Sequence, residues 1–232
     1  MNIAVCDHET TALGIISNAL KELCPDSEIS EFDSGSKIID SKKKYDIVFL
    51  DIDMPDMNGM DTAHIIRNNE ISEYIIFLTG HSEFMQKAFE VRAFRYLSKP
   101  LNMQELRKTI SDIQNEIFRN RRIVIKTHSN IMMLNIADIV CIEAFGDGTY
   151  VYAKNEVYVC NKTLRQWIAE LGDENFFQVH KSFVVSLKYI VRINKDSLEA
   201  SYLSSPVPIS RRNRNSLKST FFDYVKNNTN IL

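Results

Sequence analysis

The sequence predicts an α/β, doubly wound, parallel five-stranded domain that is followed by a mainly β domain. In the first half, short apolar runs that end on polar residues alternate with segments of helical periodicity. In the second half, the segments are short, often alternating, and rich in β-branched and aromatic residues. Residues 1–118 hold 12 Lys and Arg against 20 Asp and Glu, whereas residues 119–232 hold 16 against 10. We therefore expect only the second half to meet a polyanion.

The composition is that of a globular protein with room for two ordinary domains, since 44% of the 232 residues are hydrophobic and 25% are charged. The four cysteines show neither a Cys-x-x-Cys spacing nor a dense framework, so we expect buried reduced thiols and no structural zinc site. No apolar stretch approaches the roughly 18 residues of a membrane span, and no basic leader opens the chain. We expect a cytoplasmic protein that has no membrane partner.

Two strand-helix units open the chain. Ile3–Cys6 is predicted as a buried strand, and Asp7-His8-Glu9 leads from it into a helix. The apolar residues of that helix recur about every 3.6 positions, at Leu13, Ile16, Leu20 and Leu23. A modest strand at 28–32 and a helix at 37–43 form the second unit.

The third strand is the most informative one. Ile47–Leu50 is continuously apolar and ends on the carboxylate of Asp51, where Pro55 and Gly59 predict a turn into the next helix. In an open parallel sheet, ligands bind at the carboxyl ends of the strands. A single Asp at this position is also compatible with an ordinary capping residue, so its neighbours in space decide its role.

Two further strands complete the predicted sheet. Ile75–Leu78 ends on Thr79, a helix is expected near 84–89, and Phe94–Leu97 leads into Ser98-Lys99-Pro100. Asn102 with Glu105 resembles a capping box for a last helix, whose apolar face is Leu106, Ile110, Ile113 and Ile117.

The carboxyl ends of parallel strands meet at one edge of the sheet, so four polar residues are expected to cluster: Asp7, Asp51, Thr79 and Lys99. A carboxylate can accept a phosphoryl group to form an acyl phosphate. A hard divalent cation, a lysine and a hydroxyl can then each contact a phosphoryl oxygen. A phosphatase-like enzyme with a nucleophilic Asp would need a second acid as general acid or base and a substrate pocket, and the sequence shows neither pattern.

The first half, to about residue 118, resembles the receiver domain of response regulators. The resemblance is carried by Asp7, the Leu-Asp-Ile-Asp-Met-Pro segment around Asp51 with Gly59, Thr79-Gly80, Tyr96 and Lys99-Pro100. It implies that Asp51 accepts phosphoryl from a histidine kinase and that Thr79 and Lys99 sense the phosphate. It also implies that Tyr96 is an aromatic switch and that Mg²⁺ binds at Asp7, Asp51 and Asp53.

One position departs from the receiver pattern. Receivers usually carry two adjacent acids after the first strand, the second being a Mg²⁺ ligand, but here the pair is Asp7-His8. A neutral imidazole is a poor ligand for a hard cation that prefers oxygen. Three outcomes are compatible with the sequence: Glu9 or the Asp53 side chain compensates, Mg²⁺ binding is weakened, or the domain works without ordinary phosphorylation. We expect binding that is weakened but not abolished.

The second half begins after a polar, basic run, which predicts a linker at 119–123 between a receiver domain at 1–118 and a second domain at 124–232. Short strands follow, and Lys162–Leu171 is the one clear helix, which Gly172 ends. Phe176 to Val185 reads Phe-x-x-x-His-x-Ser-Phe-x-Val, and Pro208-Ile209-Ser210-Arg211-Arg212 lies further on. These motifs resemble the LytTR-type DNA-binding domain, from about Ile123 to Tyr224. Such domains are largely β-sheet and insert loops into successive major grooves.

The basic cluster after Pro208 is independently suited to a DNA surface, since Arg and Lys contact phosphates and Arg reads guanine. A solvated charge run is the alternative, and for His180 a structural hydrogen-bonding role is favoured. With the positions that the family pattern implies, the candidate DNA-binding residues are Thr149, Tyr150, Lys181, Ser186, Lys188, Arg211, Arg212 and Arg214.

Together these features predict a two-component response regulator that acts on transcription. A histidine kinase would phosphorylate Asp51, the receiver would dimerise, and the homodimer would bind paired sites on duplex DNA. Independent substrate turnover is not expected. An alternative of another class makes the second domain a protein-interaction module.

Overall fold

The computed structural model describes residues 1–80, 91–127 and 130–228. The chain forms two compact units, Met1–Ile113 and Gln114–Leu232. The helix predicted near 84–89 lies outside the described residues.

The first unit contains a parallel sheet of five strands in the order β2-β1-β3-β4-β5, which confirms the predicted class. The strands are β1 (Asn2–Cys6), β2 (Glu28–Phe32), β3 (Tyr45–Asp51), β4 (Ser72–Thr79) and β5 (Arg95–Ser98). The described helices are α1 (Thr10–Leu23), α2 (Gly35–Asp40) and α3 (Gly59–Asn68), and α4 (Met103–Asn120) begins in this unit and continues past Ile113. Strand order reverses between β1 and β3, which is where ligands bind in such sheets.

The central strands are buried on both faces, as their unbroken apolar sequences predict. Every side chain from Ile3 to Cys6 and from Ile47 to Leu50 is fully buried. The second helix begins at Gly35 and ends at Asp40, so that both ends lie earlier than the predicted 37–43. It cannot continue through Lys42, whose φ of 52° lies outside the helical region. The predicted cap of α4 is confirmed on one side, since Asn102 Oδ1 accepts the backbone N–H groups of Gln104 and Glu105.

The second unit is mainly β, also as predicted. Its antiparallel sheet has the order β10-β9-β8-β12-β11. The strands of this sheet are β8 (Ile139–Phe145), β9 (Gly148–Ala153), β10 (Val157–Cys160), β11 (Phe176–His180) and β12 (Phe183–Ser186). A hairpin and a three-stranded sheet accompany it: β6 (Arg122–Lys126), β7 (Ile131–Asn135), β13 (Ile190–Ile193), β14 (Ser197–Ala200) and β15 (Val207–Pro208).

Two helices complete the second unit, α5 (Leu164–Leu171) and α6 (Arg214–Asn228). The capping box of Thr163 and Gln166 opens α5, and Gly172 ends it with a φ of 77°. α6 was not predicted, because Leu217 is the one fully buried residue among those of α6 whose burial is described, and the apolar positions form no clear stripe.

The predicted connection at 119–123 is occupied by regular structure. α4 continues to Asn120 and β6 begins at Arg122, so that one residue separates them. All four cysteines are buried thiols and none forms a disulfide. No helix in the described ranges combines the length and apolar character that crossing a membrane requires.

Candidate functional site

Two buried carboxylates lie at the point where strand order reverses. Cys6 of β1 pairs with Leu50 of β3. Asp7 follows Cys6 and Asp51 follows Leu50, so the two acids lie at the same edge of the sheet. The side chain of Asp7 is 0% exposed and that of Asp51 is 1% exposed. The sheet therefore brings Asp7 and Asp51 together, as their positions at the ends of predicted strands indicated.

Lys99 bridges these acids from the end of β5. Its Nζ lies 2.8 Å from Asp7 Oδ2 and 3.1 Å from Asp51 Oδ1. Burial alone would lower the pKa of Lys99, but the hydrogen bond to Asp7 and the charge of Asp51 outweigh it, so that pKa is raised. The pKa of Asp51 is also raised, by burial and by the charge of Asp7, although Lys99 acts against both. One ammonium thus serves two carboxylates.

His8 faces the other side of the same pair. Its Nδ1 lies 3.2 Å from Asp51 Oδ2 and 3.9 Å from Asp7 Oδ1, and its side chain is 35% exposed. The ligand atoms of Asp7, His8 and Asp51 all lie within 4.8 Å of one another, and among the described residues they form the one His, Cys, Asp and Glu group that could hold a metal. The residue that departs from the receiver pattern is therefore a potential ligand itself.

Neither predicted substitute for the missing acid enters this group. The carboxylate of Asp53 lies 3.4 Å from Thr79 Oγ1, and Asp53 is solvent-exposed. Glu9 reaches Asp7 through its backbone N–H, 2.9 Å from Asp7 Oδ1. In this geometry, neither side chain replaces the missing acid as a metal ligand.

The remaining predicted positions lie on β4, β5 and α3. Thr79 ends β4 and is buried, and the ring of half-buried Tyr96 lies 6.3 Å from that of Phe77, its partner across the strands. Gly59 has a stricter role than a turn, because a Cβ at this position would lie 2.1 Å from the carbonyl oxygen of Asp51. Only glycine lets α3 begin so close to the end of β3.

A second cluster forms at one end of the antiparallel sheet. The β8–β9 hairpin and the β11–β12 turn are adjacent there, since Glu143 pairs with both Tyr150 and Phe183. The loop before α6 joins them, because Ser210 N donates to Val179 O at 2.9 Å and Asn213 Nδ2 to Gln178 O at 2.7 Å. These elements carry four of the predicted DNA-binding residues: Tyr150, Lys181, Arg211 and Arg212. Tyr150 is half-buried and the other three are exposed.

His180 organises the turn that carries Lys181. Its Nδ1 accepts the backbone N–H of Ser182 at 3.3 Å, which supports the structural role expected for this residue. Phe145 was missed by the sequence analysis. Its ring stacks on Tyr150 with 4.2 Å between centroids, and alternation along β8 was the signal that could have placed the two on one face.

Two predicted DNA contacts are contradicted by burial. Thr149 is fully buried, where its Oγ1 accepts from Trp167 Nε1 at 2.8 Å and donates to Lys162 O at 2.9 Å. Ser186 is 1% exposed. Side chains enclosed in this way cannot reach a base edge, and Thr149 holds the core of the unit together instead.

The two remaining predicted cations contact other residues of the unit. Lys188 lies beyond the opposite end of β12, with its Nζ 5.3 Å from the centre of the Tyr189 ring. Burial, followed by the charges of Lys154 and Arg119, lowers the pKa of Lys188. Arg214 forms an ion pair with Asp196, which occupies its guanidinium.

Comparison with known proteins accounts for both units. The family model of the response regulator receiver domain matches residues 3–111, and that of the LytTr DNA-binding domain matches residues 129–221. The chain is similar to the sensory transduction protein LytT of Bacillus subtilis, with 27% identity over 94% of this chain and 98% of that protein. It is also similar to the transcriptional regulatory protein YpdB of Escherichia coli K12, with 28% identity over 91% and 95%. Among solved structures, the response regulatory domain of mrkE from Klebsiella pneumoniae matches with 26% identity and a TM-score of 0.47, over 50% of this chain and 97% of that one.

Proposed function

The chain belongs to the response regulators that combine a receiver domain with a LytTR DNA-binding domain, and on this premise we propose that phosphorylation of Asp51 by a sensor histidine kinase controls its binding to DNA. The observation that carries the proposal is the buried carboxylate of Asp51 at a strand end, held between Lys99 and His8. We take the receiver as residues 1–118 and the DNA-binding domain as residues 124–232, connected through 119–123.

Phosphoryl acceptance follows from the chemistry of these side chains. A carboxylate oxygen of Asp51 forms a bond to phosphorus while the bond between phosphorus and the kinase histidine nitrogen breaks. The electron pair of that bond stays on the kinase imidazole, which takes up a proton. Lys99 is placed to pair with an oxygen of the transferred group, and the hydroxyl of Thr79 to donate to another.

The donor set fits a divalent cation at Asp7, His8 and Asp51. Two buried carboxylates face one ammonium, so a negative charge remains for a cation to offset. When bound, the cation supplies neutralisation of charge on the phosphoryl oxygens. Because His8 contributes nitrogen where an acid would contribute oxygen, we expect Mg²⁺ to bind weakly but measurably. The alternative is a receiver that works without ordinary phosphorylation.

Signal transmission would use Thr79 and Tyr96. Movement of the Thr79 hydroxyl from Asp53 towards the phosphoryl group would pull on the end of β4, beside which Tyr96 packs on Phe77. The Tyr96 ring would turn inward and change the surface along β5, which is the edge strand of the sheet. We propose that a homodimer then forms through this surface. Its two DNA-binding domains bind paired sites at the same time, and this avidity raises the affinity for DNA.

The DNA interface that we propose is the end of the sheet where Tyr150, Lys181, Arg211 and Arg212 lie. Arg212 and Lys181 would contact base edges or phosphates, and the Phe145–Tyr150 stack would provide a rigid hairpin beside them. Lys188, which lies beyond the opposite end of β12, and Arg214, which pairs with Asp196, remain candidates for phosphate contacts outside this interface. Thr149 and Ser186 are left out because they are buried.

Phosphotransfer to single-site variants tests the proposal. A kinase or a small phosphodonor should label the wild-type chain and Asp56→Asn, whose carboxylate is exposed in the same loop, but not Asp51→Asn. Labelling of Asp51→Asn at the wild-type level would show that another residue is the acceptor.

A further inference from the structure

We propose that the pocket of Asp7, His8 and Asp51 prefers a first-row transition-metal dication such as Mn²⁺ or Zn²⁺ to Mg²⁺, and that His8 shifts the selectivity of the pocket away from Mg²⁺. The inference rests on the proposed function, in which a cation assists phosphoryl transfer. It goes further in specifying which cation the pocket prefers.

Each carboxylate of the pocket presents one oxygen to Lys99 and the other to His8. Lys99 takes Asp7 Oδ2 and Asp51 Oδ1, at 2.8 and 3.1 Å. His8 Nδ1 lies 3.2 Å from Asp51 Oδ2 and 3.9 Å from Asp7 Oδ1. The two oxygens that Lys99 leaves and the imidazole nitrogen therefore form a separate set of three donors.

The spacing of these donors suits a single ion. Ligand atoms about 2.1 Å from a metal lie about 3.0 Å apart at an octahedral right angle and about 3.4 Å apart in a tetrahedron. The separation of 3.2 Å between His8 and Asp51 falls between these values, the 3.9 Å to Asp7 exceeds both, and all three ligand atoms lie within 4.8 Å of one another. A small movement of the half-exposed His8 ring would close the set.

Charge provides an independent argument for a cation. Asp7 and Asp51 are both at least 99% buried, and Lys99 is the cation that contacts them in the described structure. An uncompensated buried carboxylate is costly, so a metal ion at the donor set would remove the excess negative charge.

The identity of the donors then selects the metal. Mg²⁺ requires near-octahedral oxygen coordination, whereas imidazole favours first-row transition metals, in the order Mn²⁺ < Fe²⁺ < Co²⁺ < Ni²⁺ < Cu²⁺ > Zn²⁺. Neither Glu9 nor Asp53 brings a further carboxylate into the group. A histidine that was merely tolerated here could point to solvent, but the Nδ1 of His8 lies within hydrogen-bonding distance of Asp51.

Metal binding by the full-length, chelator-treated chain tests this inference without a phosphodonor. Binding of Mn²⁺ is followed by the loss of the free-ion electron paramagnetic resonance signal, Mg²⁺ by competition, and Zn²⁺ by calorimetry. Tryptophan emission is no substitute, because the one tryptophan, Trp167, belongs to the second unit.

The variants are His8→Asp, which restores the usual acid pair, and His64→Ala, which removes an exposed histidine from α3 as a control. We expect the ratio of the Mg²⁺ to the Mn²⁺ dissociation constant to fall by about tenfold or more in His8→Asp and to stay unchanged in His64→Ala. An unchanged ratio in His8→Asp, or tighter binding of Mg²⁺ than of Mn²⁺ by the wild-type chain, would overturn the inference.

The experiments distinguish failure of this inference from failure of the proposed function. Labelling of Asp51 together with an unchanged metal ratio would refute only the selectivity. A metal ratio that depends on His8, with labelling that persists in Asp51→Asn, would refute only the role of Asp51 as acceptor.

Discussion

The Nζ of Lys99 lies 3.1 Å from Oδ1 of Asp51, and it joins the ends of β5 and β3 across the edge of the parallel sheet. The same ammonium holds Asp7, so the proposed acceptor shares its counter-ion with a second buried acid. Stability, the proposed metal binding and the proposed phosphoryl acceptance are consequently linked through a small number of charges.

The raised pKa of Asp51 predicts how stability depends on pH. Because burial and the charge of Asp7 raise the folded-state pKa above the unfolded value of about 3.9, the folded chain binds more protons between the two values. The contribution of Asp51 is therefore favourable at low pH and is lost as the pH rises through the folded-state pKa.

We expect Asp51→Asn to be neutral or stabilising at pH 7 and to remove this part of the pH dependence. Calorimetric melting of both chains from pH 4 upward, at one metal concentration, gives the difference. A variant that becomes less stable relative to wild type as the pH rises would have the wrong sign.

Gly59→Ala should distort the acceptor loop. Its Cβ would meet the Asp51 carbonyl oxygen at 2.1 Å and the Ile52 Cα at 2.7 Å, and both are backbone atoms that cannot step aside. We expect a loss of about 1–3 kcal/mol in unfolding free energy, together with slower phosphorylation of Asp51.

Gly14→Ala in α1 is the matched control, because nothing lies within 4 Å of its new Cβ. The helix should gain up to about 1 kcal/mol from this change. Equal effects of the two substitutions on stability and on phosphorylation would mean that close approach does not set the geometry of the site.

Thr149→Val should destabilise the DNA-binding domain without acting on DNA contacts directly. The change leaves Trp167 Nε1 without an acceptor inside the core, which costs about 1–3 kcal/mol. Trp167 is the only tryptophan, so its emission during denaturation reports this domain.

Thr149→Ser keeps the hydroxyl and should recover most of the loss. The affinity of the folded fraction for its specific DNA site should match wild type in both variants. A loss of specific affinity without a change in stability would show that Thr149 contacts a base.

Lys181→Ala and Arg212→Ala test the proposed DNA interface. Each phosphate contact contributes about 0.9 to the slope of the logarithm of the binding constant against the logarithm of salt concentration. A phosphate contact should lower that slope by about 1, while a base contact should weaken binding to the specific site alone.

Arg165→Ala on α5 removes an exposed arginine that is not among the proposed DNA contacts and should leave both quantities unchanged. If the wild-type chain bound duplex DNA without measurable salt dependence, the second domain would instead have to act through protein contacts.

The parallel sheet was predictable because continuous apolar runs such as Ile47–Leu50 are the signature of strands buried on both faces. The polar residues after those runs then had to meet at one edge, which located Asp7, Asp51, Thr79 and Lys99. The contact between His8 and Asp51 could not be read in the same way, since it depends on which side of the chain the imidazole faces.

The second domain was harder to predict residue by residue. Position in the family pattern suggested that Thr149 faces DNA, but alternation along β9 turns it towards Trp167. Arg214 resembled its basic neighbours in sequence, although in the structure Asp196 pairs with it. Such pairings join distant parts of the chain, and no local pattern records them.

The most direct test measures self-association and promoter occupancy of the full-length chain, with and without a phosphodonor and a divalent cation. Sedimentation equilibrium measures the fraction of dimer, and footprinting on DNA upstream of its own operon measures the occupancy of the paired sites. We predict that the phosphodonor promotes both in the wild-type chain and in Asp56→Asn, and neither in Asp51→Asn. Dimerisation and promoter binding that are the same in Asp51→Asn as in wild type under phosphorylating conditions would contradict the account.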